Sequence, residues 1–303
     1  MSDIKDQHPE KPIIIIERDD NVKSGASVKG EVSQSSGWRS WLRRILVGVA
    51  VVAALLAAVA GYKLWNYYYN IGVPISVSPK ENIGKLKEPA KQEPSEVVMT
   101  SDTILGVALD FYAIHGLRAS IQFEEPDTAD TSVYLYCRSA DHTPDGHYLG
   151  SLVAGGKVYQ TDCSRLGYMA MTNDNMVIGV SRSDKVRSFV EEQGGSFFRQ
   201  FILVSGGVIP SRFFLHGKVE RRAIGRMGDT LYFIATHEKE TLWDLADALR
   251  EYGFTDAIYI TGGSDYVFYR DRQGQRHDIG DSSLYPNKKW VGIIPWLVFK
   301  KAE

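Results

Sequence analysis

The sequence predicts an α+β fold, in which a β-rich domain with a mixed sheet and two or three helices follows one N-terminal transmembrane helix. Most of the chain after residue 100 consists of short β-branched and aromatic runs separated by glycine-containing turns, a pattern typical of strands. Few segments have helical spacing, and so few helices cannot cover both faces of a parallel sheet. Before this region, residues 45–61 form an apolar run without any charge.

The apolar run predicts a membrane-spanning helix. With Tyr62 it reaches 18 residues, which is about 27 Å of helix, close to the roughly 30 Å of a bilayer core. Three arginines lie just before the run, and Lys63 is the only base in the dozen residues after it. By the positive-inside rule, we expect residues 45–62 to contact the lipid of a bacterial inner membrane as a single span. The N-terminus is then cytoplasmic and the C-terminal domain periplasmic or extracellular.

Cleavage of this segment is the alternative to a permanent anchor. Residues 58–60, Ala-Val-Ala, have the small-x-small form that signal peptidase accepts. However, 44 residues precede the run, which is far longer than an ordinary signal n-region. We therefore expect an uncleaved anchor.

The segments that flank the span differ in composition. Residues 1–44 are polar and charge-mixed, which predicts a disordered cytoplasmic tail. Its four isoleucines at 13–16 are either a strand that adds to a partner's sheet or an unstructured apolar patch. Residues 63–99 are rich in proline and lysine, which predicts an extended linker. Residues 100–303 then form the exported domain.

Composition excludes some function classes. The net charge is −2 and no basic stripe is present, so we expect no nucleic-acid partner. No His/Cys spacing suggests a metal, and no fingerprint of a nucleotide cofactor is present, so we expect neither. The two cysteines, Cys137 and Cys163, both belong to the exported domain. They form a disulfide in an oxidising compartment or remain two separately buried thiols, and the sequence leaves both open.

Three helices and a series of strands are predicted in the domain. Ser101 is expected to cap a first helix that ends at Gly116, and Ser183 a second. The clearest helix begins after Thr241 and ends at Gly253. Strands are predicted at residues 118–123, 133–138, 148–153, 157–160, 168–171, 176–180, 197–204, 218–225, 230–235, 257–260, 266–270 and 290–299.

Two features of the C-terminal half carry candidate chemistry. Gly262 and Gly263 follow an apolar strand, where bare backbone amides can approach a ligand closely, although a plain turn has the same pattern. Arg221 could present its guanidinium to a phosphate, although a solvated strand face paired with Glu220 is the other interpretation.

Three motifs stand in order in this half. Residues 221–225 read Arg-Arg-Ala-Ile-Gly, residues 241–246 read Thr-Leu-Trp-Asp-Leu-Ala, and residues 257–264 read Ala-Ile-Tyr-Ile-Thr-Gly-Gly-Ser. Their order and spacing resemble the RTAIG strand, the TLxELAxxL helix and the AxNLDGGGS strand of the phosphodiester glycosidase family. The resemblance implies an earlier NGGFF-like element, for which residues 172–175, Thr-Asn-Asp-Asn, are the candidate.

The resemblance implies a set of site residues. Tyr259 and Thr261 stand where the family has Asn and Asp. Because glycoside cleavage normally uses carboxylates, Asp265, in place of the serine that follows the motif, is the candidate catalytic residue. The residues implied in substrate binding are Arg221, Thr261, Gly262, Gly263, Ser264, Asn173 and Asn175.

Two function classes follow. In the first, a divergent domain binds a glycan or sugar phosphate, or an envelope protein, with weak or no turnover. In the second, an active glycosidase hydrolyses a sugar phosphodiester in cell-envelope glycan metabolism. The altered Asn and Asp positions favour the first class.

Overall fold

The computed structural model describes residues 36–69, 72–75, 77–143, 145–173, 175–263, 265–280 and 293–301. The first helix, α1 (Ser36–Tyr69), is continuous over 34 residues. Its segment Gly37–Trp65 is long and apolar enough to cross a membrane, with a mean hydropathy of 2.5 over its most apolar 18 residues. Residues 36–44, predicted to belong to a disordered tail, are therefore helical, and the rest of the predicted tail lies outside the described residues.

The described part of the domain contains three further helices and sixteen strands, which confirms the α+β class. The helices are α2 (Pro79–Leu86), α3 (Lys185–Glu192) and α4 (Leu242–Tyr252). The strands are β1 (Glu96–Ile104), β2 (Val107–His115), β3 (Leu117–Gln122), β4 (Val133–Arg138), β5 (Leu152–Ala154), β6 (Lys157–Gln160), β7 (Gly167–Met171), β8 (Met176–Val180), β9 (Ser196–Gln200), β10 (Ile202–Ser205), β11 (Arg221–Met227), β12 (Thr230–Thr236), β13 (Asp256–Gly262), β14 (Val267–Arg270), β15 (Arg276–Ile279) and β16 (Trp296–Lys301).

These strands form three sheets. Their orders are β1-β2-β12-β11-β13-β10, β15-β14-β4-β16-β3 and β6-β5-β9-β7-β8. Every strand pair among the described residues is antiparallel. The sequence predicted a mixed sheet, and these pairings include no parallel one. The predicted strand 197–204 is divided between β9 and β10, which lie in different sheets. The predicted strand 290–299 begins only at Trp296, and residues 290–292 lie outside the described residues.

The helix predicted after Ser101 is wrong, because this stretch is the β1–β2 hairpin. Leu105 and Gly106 both have positive φ, 51° and 84°, and so form the tight turn that joins the two strands. Burial on β2 follows a strand's period of two, with Leu109 and Phe111 on one face of the sheet and Tyr112 on the other. The apolar spacing of this segment satisfies both periods, and the two-residue turn decides between them.

The range predicted as an extended linker, residues 63–99, is also partly folded. Ser78 caps α2 by accepting a hydrogen bond from the Glu81 amide at 3.2 Å. Leu86 is 3% exposed and packs in a small core with α3. The end of the range, from Glu96, belongs to β1. Pro79 at the first turn of α2 suits a helix start, so the prolines here do not require an extended chain.

Two cores position the functional residues. One lies among the three sheets and includes Ile224, Leu297 and Phe198. The other lies between the first sheet and α4, whose buried face includes Leu245 and Leu249. As predicted, Thr241 caps α4 and Gly253 ends it with a φ of 110°. Strand β11 lies between these cores, so its side chains alternate between them.

Candidate functional site

Strand β13 ends at the predicted ligand loop. Thr261 is buried, and the Gly263 amide donates to the Glu220 carbonyl oxygen at 2.8 Å. A Cβ atom on Gly262 would lie 2.5 Å from the Tyr259 hydroxyl oxygen and 2.9 Å from the Glu220 carbonyl oxygen. Side chains do not approach so closely. Packing within the chain therefore requires a glycine at position 262, whether or not a ligand binds there.

Arg221 lies beside this strand end, on the face that packs against α4. It is 3% exposed. Its Nε donates to the Glu240 carbonyl oxygen at 2.9 Å, and its Nη1 to the Tyr259 hydroxyl at 3.4 Å. Its Nη2 donates to the Gly217 carbonyl oxygen. The guanidinium is engaged by the protein itself, which favours a structural role over the predicted phosphate contact.

Arg222, the next residue, points to the opposite face of β11 and is 2% exposed. Its Nη1 donates to the Gly263 carbonyl oxygen at 2.9 Å, and its Nη2 lies 3.3 Å from a Glu220 carboxylate oxygen. Together with the Gly263 amide, these contacts hold the chain after β13 against the start of β11. The sequence motif does not separate Arg222 from Arg221.

A cluster of carboxylates and guanidinium groups lies near this strand end. The Arg138 Nη1 atom lies 3.6 Å from the Asp265 Oδ1 atom, and both side chains are largely buried. Burial raises the pKa of the nearby Asp141 carboxyl, the Arg138 charge opposes that rise, and the Asp265 charge adds to it. Gln200 donates to the Asp141 Oδ2 atom at 3.3 Å and to the Ile260 carbonyl oxygen at 3.2 Å. The carboxylates of Asp141 and Asp265 thus lie close enough to influence each other, and both interact with the Arg138 charge.

We call Arg138, Asp141 and Asp265 the carboxylate cluster, and further groups adjoin it. The Arg165 charge also lowers the pKa of Asp141. Burial, together with the negative charge of Asp141, raises the pKa of Tyr259 to about 12. Tyr259 therefore stays a neutral hydroxyl at physiological pH. The cluster offers carboxylate acceptors, guanidinium donors and a hydroxyl, which are groups that recognise sugar hydroxyls and phosphates.

Asn173 and Asn175 do not join this cluster. Asn173 is exposed, and Asn175 lies beside Met176, whose carbonyl oxygen accepts from Arg226 Nη2 at 2.6 Å. Arg226 is five residues along β11 from Arg221, which is about 16 Å in a strand. The predicted asparagines therefore lie at the opposite end of the sheet from Asp265. Ser264 lies outside the described residues.

The two cysteines are free thiols in this structure. Cys137 is 1% exposed in the core among the sheets, and burial raises the pKa of its thiol. Cys163 is partly exposed, and its thiol donates to the Asp184 Oδ1 atom at 3.4 Å. Of the two alternatives, the separate thiols are the one present here. Within the described residues, no group of three or more His, Cys, Asp or Glu side chains is arranged to hold a metal.

The residues that sequence reasoning missed are Arg138, Asp141 and Gln200. One signal was available, because Arg138 ends a predicted strand and Asp141 follows it closely, and charged residues just past strand ends often face ligands. No local signal connects either residue with Asp265. Their proximity depends on β4 lying beside β14 in the second sheet.

Comparisons with known proteins give structural likeness alone. No protein-family profile matches the chain, and no curated protein matches its sequence. The catalytic domain of zebrafish N-acetylglucosamine-1-phosphodiester alpha-N-acetylglucosaminidase, solved auto-inhibited by its pro-peptide, is similar with a TM-score of 0.49 and 14% identity. That match covers 71% of this chain and 87% of the other.

A hypothetical protein from Synechocystis is similar with a TM-score of 0.50 and 10% identity, over 69% of this chain and 64% of that one. This chain and the Synechocystis protein share a fold. At this identity the likeness says nothing of activity, so any function must be argued from the site itself.

Proposed function

We propose that this chain is a membrane-anchored domain that binds a glycan or sugar phosphate at the carboxylate cluster, with weak or no turnover. The observation that carries the proposal is the pair of carboxylates, Asp141 and Asp265, with Arg138, the last residue of β4, 3.6 Å from Asp265. Carboxylates accept hydrogen bonds from sugar hydroxyls, and a guanidinium forms charge-assisted bonds with phosphate. Arg138 takes the role that the motif suggested for Arg221.

Calorimetric titration of the full-length protein in detergent tests this proposal. Glucose 1-phosphate and glucose are the probes, and we expect the phosphate ester to bind more tightly. Arg138→Gln should weaken binding of the ester roughly tenfold to a hundredfold, since it removes a charge-assisted bond of about 1.5–3 kcal/mol. The matched control is Arg250→Gln, because Arg250 is exposed on α4 and, among the described residues, forms an ion pair with Asp247.

Equal affinity of the Arg138→Gln and wild-type proteins for the ester would contradict the proposed site. No binding of either probe would favour an envelope protein as the partner instead.

Hydrolysis of a sugar phosphodiester is the second candidate, and the same carboxylate pair favours it. Glycoside cleavage uses one protonated and one ionised carboxyl group, and burial raises the pKa of Asp141 as an acid requires. We expect a nitrophenyl sugar phosphodiester to be hydrolysed slowly or not at all. Rapid hydrolysis that Asp141→Asn and Asp265→Asn each abolish would establish the enzyme instead.

We also propose that α1 crosses a bacterial inner membrane once, with the N-terminus in the cytoplasm and the domain outside. Support comes from the arginines before its apolar segment and the single Lys63 after it. A reporter enzyme active only after export, fused behind Glu303, should then be active. A fusion active only in the cytoplasm would reverse this orientation.

A further inference from the structure

A polar cavity lies at the opposite end of β11 from the carboxylate cluster. Its volume is about 310 Å³, which is in the range of small-molecule sites. One wall is the β11–β12 turn, from Arg226 to Leu231. The other is the segment that runs from Lys85 at the end of α2 to Glu93. We call it the Arg226 cavity.

Side-chain contacts hold this covering segment over the cavity. Thr172 donates to the Leu86 carbonyl oxygen at 3.2 Å, and Asn175 donates to that of Glu88. Lys91 forms an ion pair with Asp229 across the opening at 2.8 Å. The covering segment is therefore held by contacts that a bound molecule can replace without breaking a sheet.

Arg226 is an unusual group to find on this wall. Burial lowers the pKa of its guanidinium, which means that the charged form is poorly solvated. Among the described residues, its side chain makes one hydrogen bond, to the Met176 carbonyl oxygen at 2.6 Å. The charges of Asp256, which lies opposite it on β13, and of Asp229 partly oppose the effect of burial. A guanidinium has five N–H donors, so Arg226 has donors left for a ligand in the cavity that it lines.

The remaining charges around the cavity favour an anion. Lys85, Lys91 and Arg118 also line it, so four basic residues face three acidic ones. Two acids and two bases of this set already have partners: Asp229 pairs with Lys91, Glu93 with the His115 imidazole at 3.4 Å, and Lys85 with Glu81 at 3.5 Å. These ion pairs are exposed, so a bound anion can compete for the two lysines. A guanidinium group can donate two parallel hydrogen bonds to two oxygens of one phosphate. Phosphate therefore suits Arg226 better than a monatomic anion such as chloride does.

We propose that the Arg226 cavity binds the phosphate group of a small phosphorylated molecule, with Arg226 as its principal ligand. Lys91 and Lys85 approach the same group from the covering segment. This site is separate from the carboxylate cluster, and it does not depend on the function proposed there. The asparagine at 175, which the family resemblance assigned to substrate binding, then lies at this cavity.

Inorganic phosphate is the probe, titrated into the full-length protein in detergent at constant ionic strength, with acetate as the control anion. We expect phosphate to bind and acetate not to. Arg226→Met should weaken phosphate binding tenfold or more. Asp229→Asn should tighten it by up to about fivefold, because it removes an exposed competing charge. Arg250→Gln, on the exposed face of α4, should leave phosphate binding unchanged.

Hydrogen exchange locates the ligand independently. Phosphate should slow exchange in residues 79–95 and 226–231, and should not do so in Arg226→Met. The proposal is overturned if wild-type protein does not bind phosphate, if Arg226→Met binds it as tightly, or if phosphate slows exchange only outside residues 79–95 and 226–231. Should Arg226→Met not fold, Asp229→Asn decides alone, and an unchanged or weaker affinity in that variant counts against the site.

Discussion

The two ends of strand β11 use the same side chain in opposite ways. Arg221 has three acceptors for its guanidinium, from Glu240, Gly217 and Tyr259, and is sealed inside the protein. Arg226 has one acceptor and borders a cavity of about 310 Å³. The difference teaches that a place in the sequence motif does not by itself make an arginine a ligand-binding residue. The number of acceptors that the fold already supplies separates a structural guanidinium from one available to a ligand.

The largest expected effect tests that separation directly through stability. Arg221→Met removes the three hydrogen bonds of a guanidinium that is 3% exposed, and we expect a loss of about 3 kcal/mol in the free energy of unfolding. Arg226→Met removes a poorly solvated charge and one hydrogen bond, so its effect should lie within about 1 kcal/mol of zero. Denaturant titration of both variants measures this. Equal losses would erase the distinction between the two ends.

An intermediate effect is expected at Gly262, beside Arg221. Gly262→Ala places a methyl group 2.5 Å from the Tyr259 hydroxyl oxygen, and the forced shift should cost about 1–3 kcal/mol. Gly217→Ala is the matched control, since its Cβ would meet no atom within 4 Å. Thermal and denaturant unfolding of the pair give the comparison. A Gly262→Ala protein as stable as the control would show that this end is loosely packed.

The smallest effect is a change in how stability depends on pH. Burial raises the folded-state pKa of Asp141 above its ordinary 3.8. The stability that its protonated form contributes is therefore present below that ordinary value and lost as pH rises through the raised pKa. Asp141→Asn keeps the neutral form, so it should gain stability over wild type between the acid range and pH 7, and match it below pH 3.8.

Unfolding free energies of Asp141→Asn and wild type, measured from acid to neutral pH, check this sign. If wild type instead becomes the more stable protein as pH rises, the Arg138 and Arg165 charges outweigh burial, and Asp141 is held ionised.

Local chemistry made much of the fold predictable. Helix α4 could be predicted from the sequence because Thr241 caps it and Gly253 can adopt the left-handed backbone that ends it. The β1–β2 hairpin was misread because its turn contains Leu105, a residue that seldom has a positive φ. Helix α2 was missed because Leu86 becomes buried only through contacts with distant strands.

The candidate site was less predictable for the same physical reason. Gly262, Gly263 and Asp265 were found because they adjoin one strand end. Asp141 and Arg138 come from another sheet, and only the pairing of β4 with β14 brings them near Asp265. The availability of Arg226 could not be inferred, because it depends on which acceptors the folded chain fails to provide.

The side chain of Tyr259 contacts both Arg221 and the space beside Gly262. Its hydroxyl accepts from Arg221 and fills the space that a side chain at Gly262 would need. A smaller residue at 259 would remove one acceptor of Arg221 and the closest contact of a side chain at 262, while the Glu220 carbonyl oxygen, at 2.9 Å, would still oppose that side chain. The three positions are therefore coupled. A substitution at residue 259 changes what a substitution at residue 221 or 262 costs, so the effects of such changes are not additive.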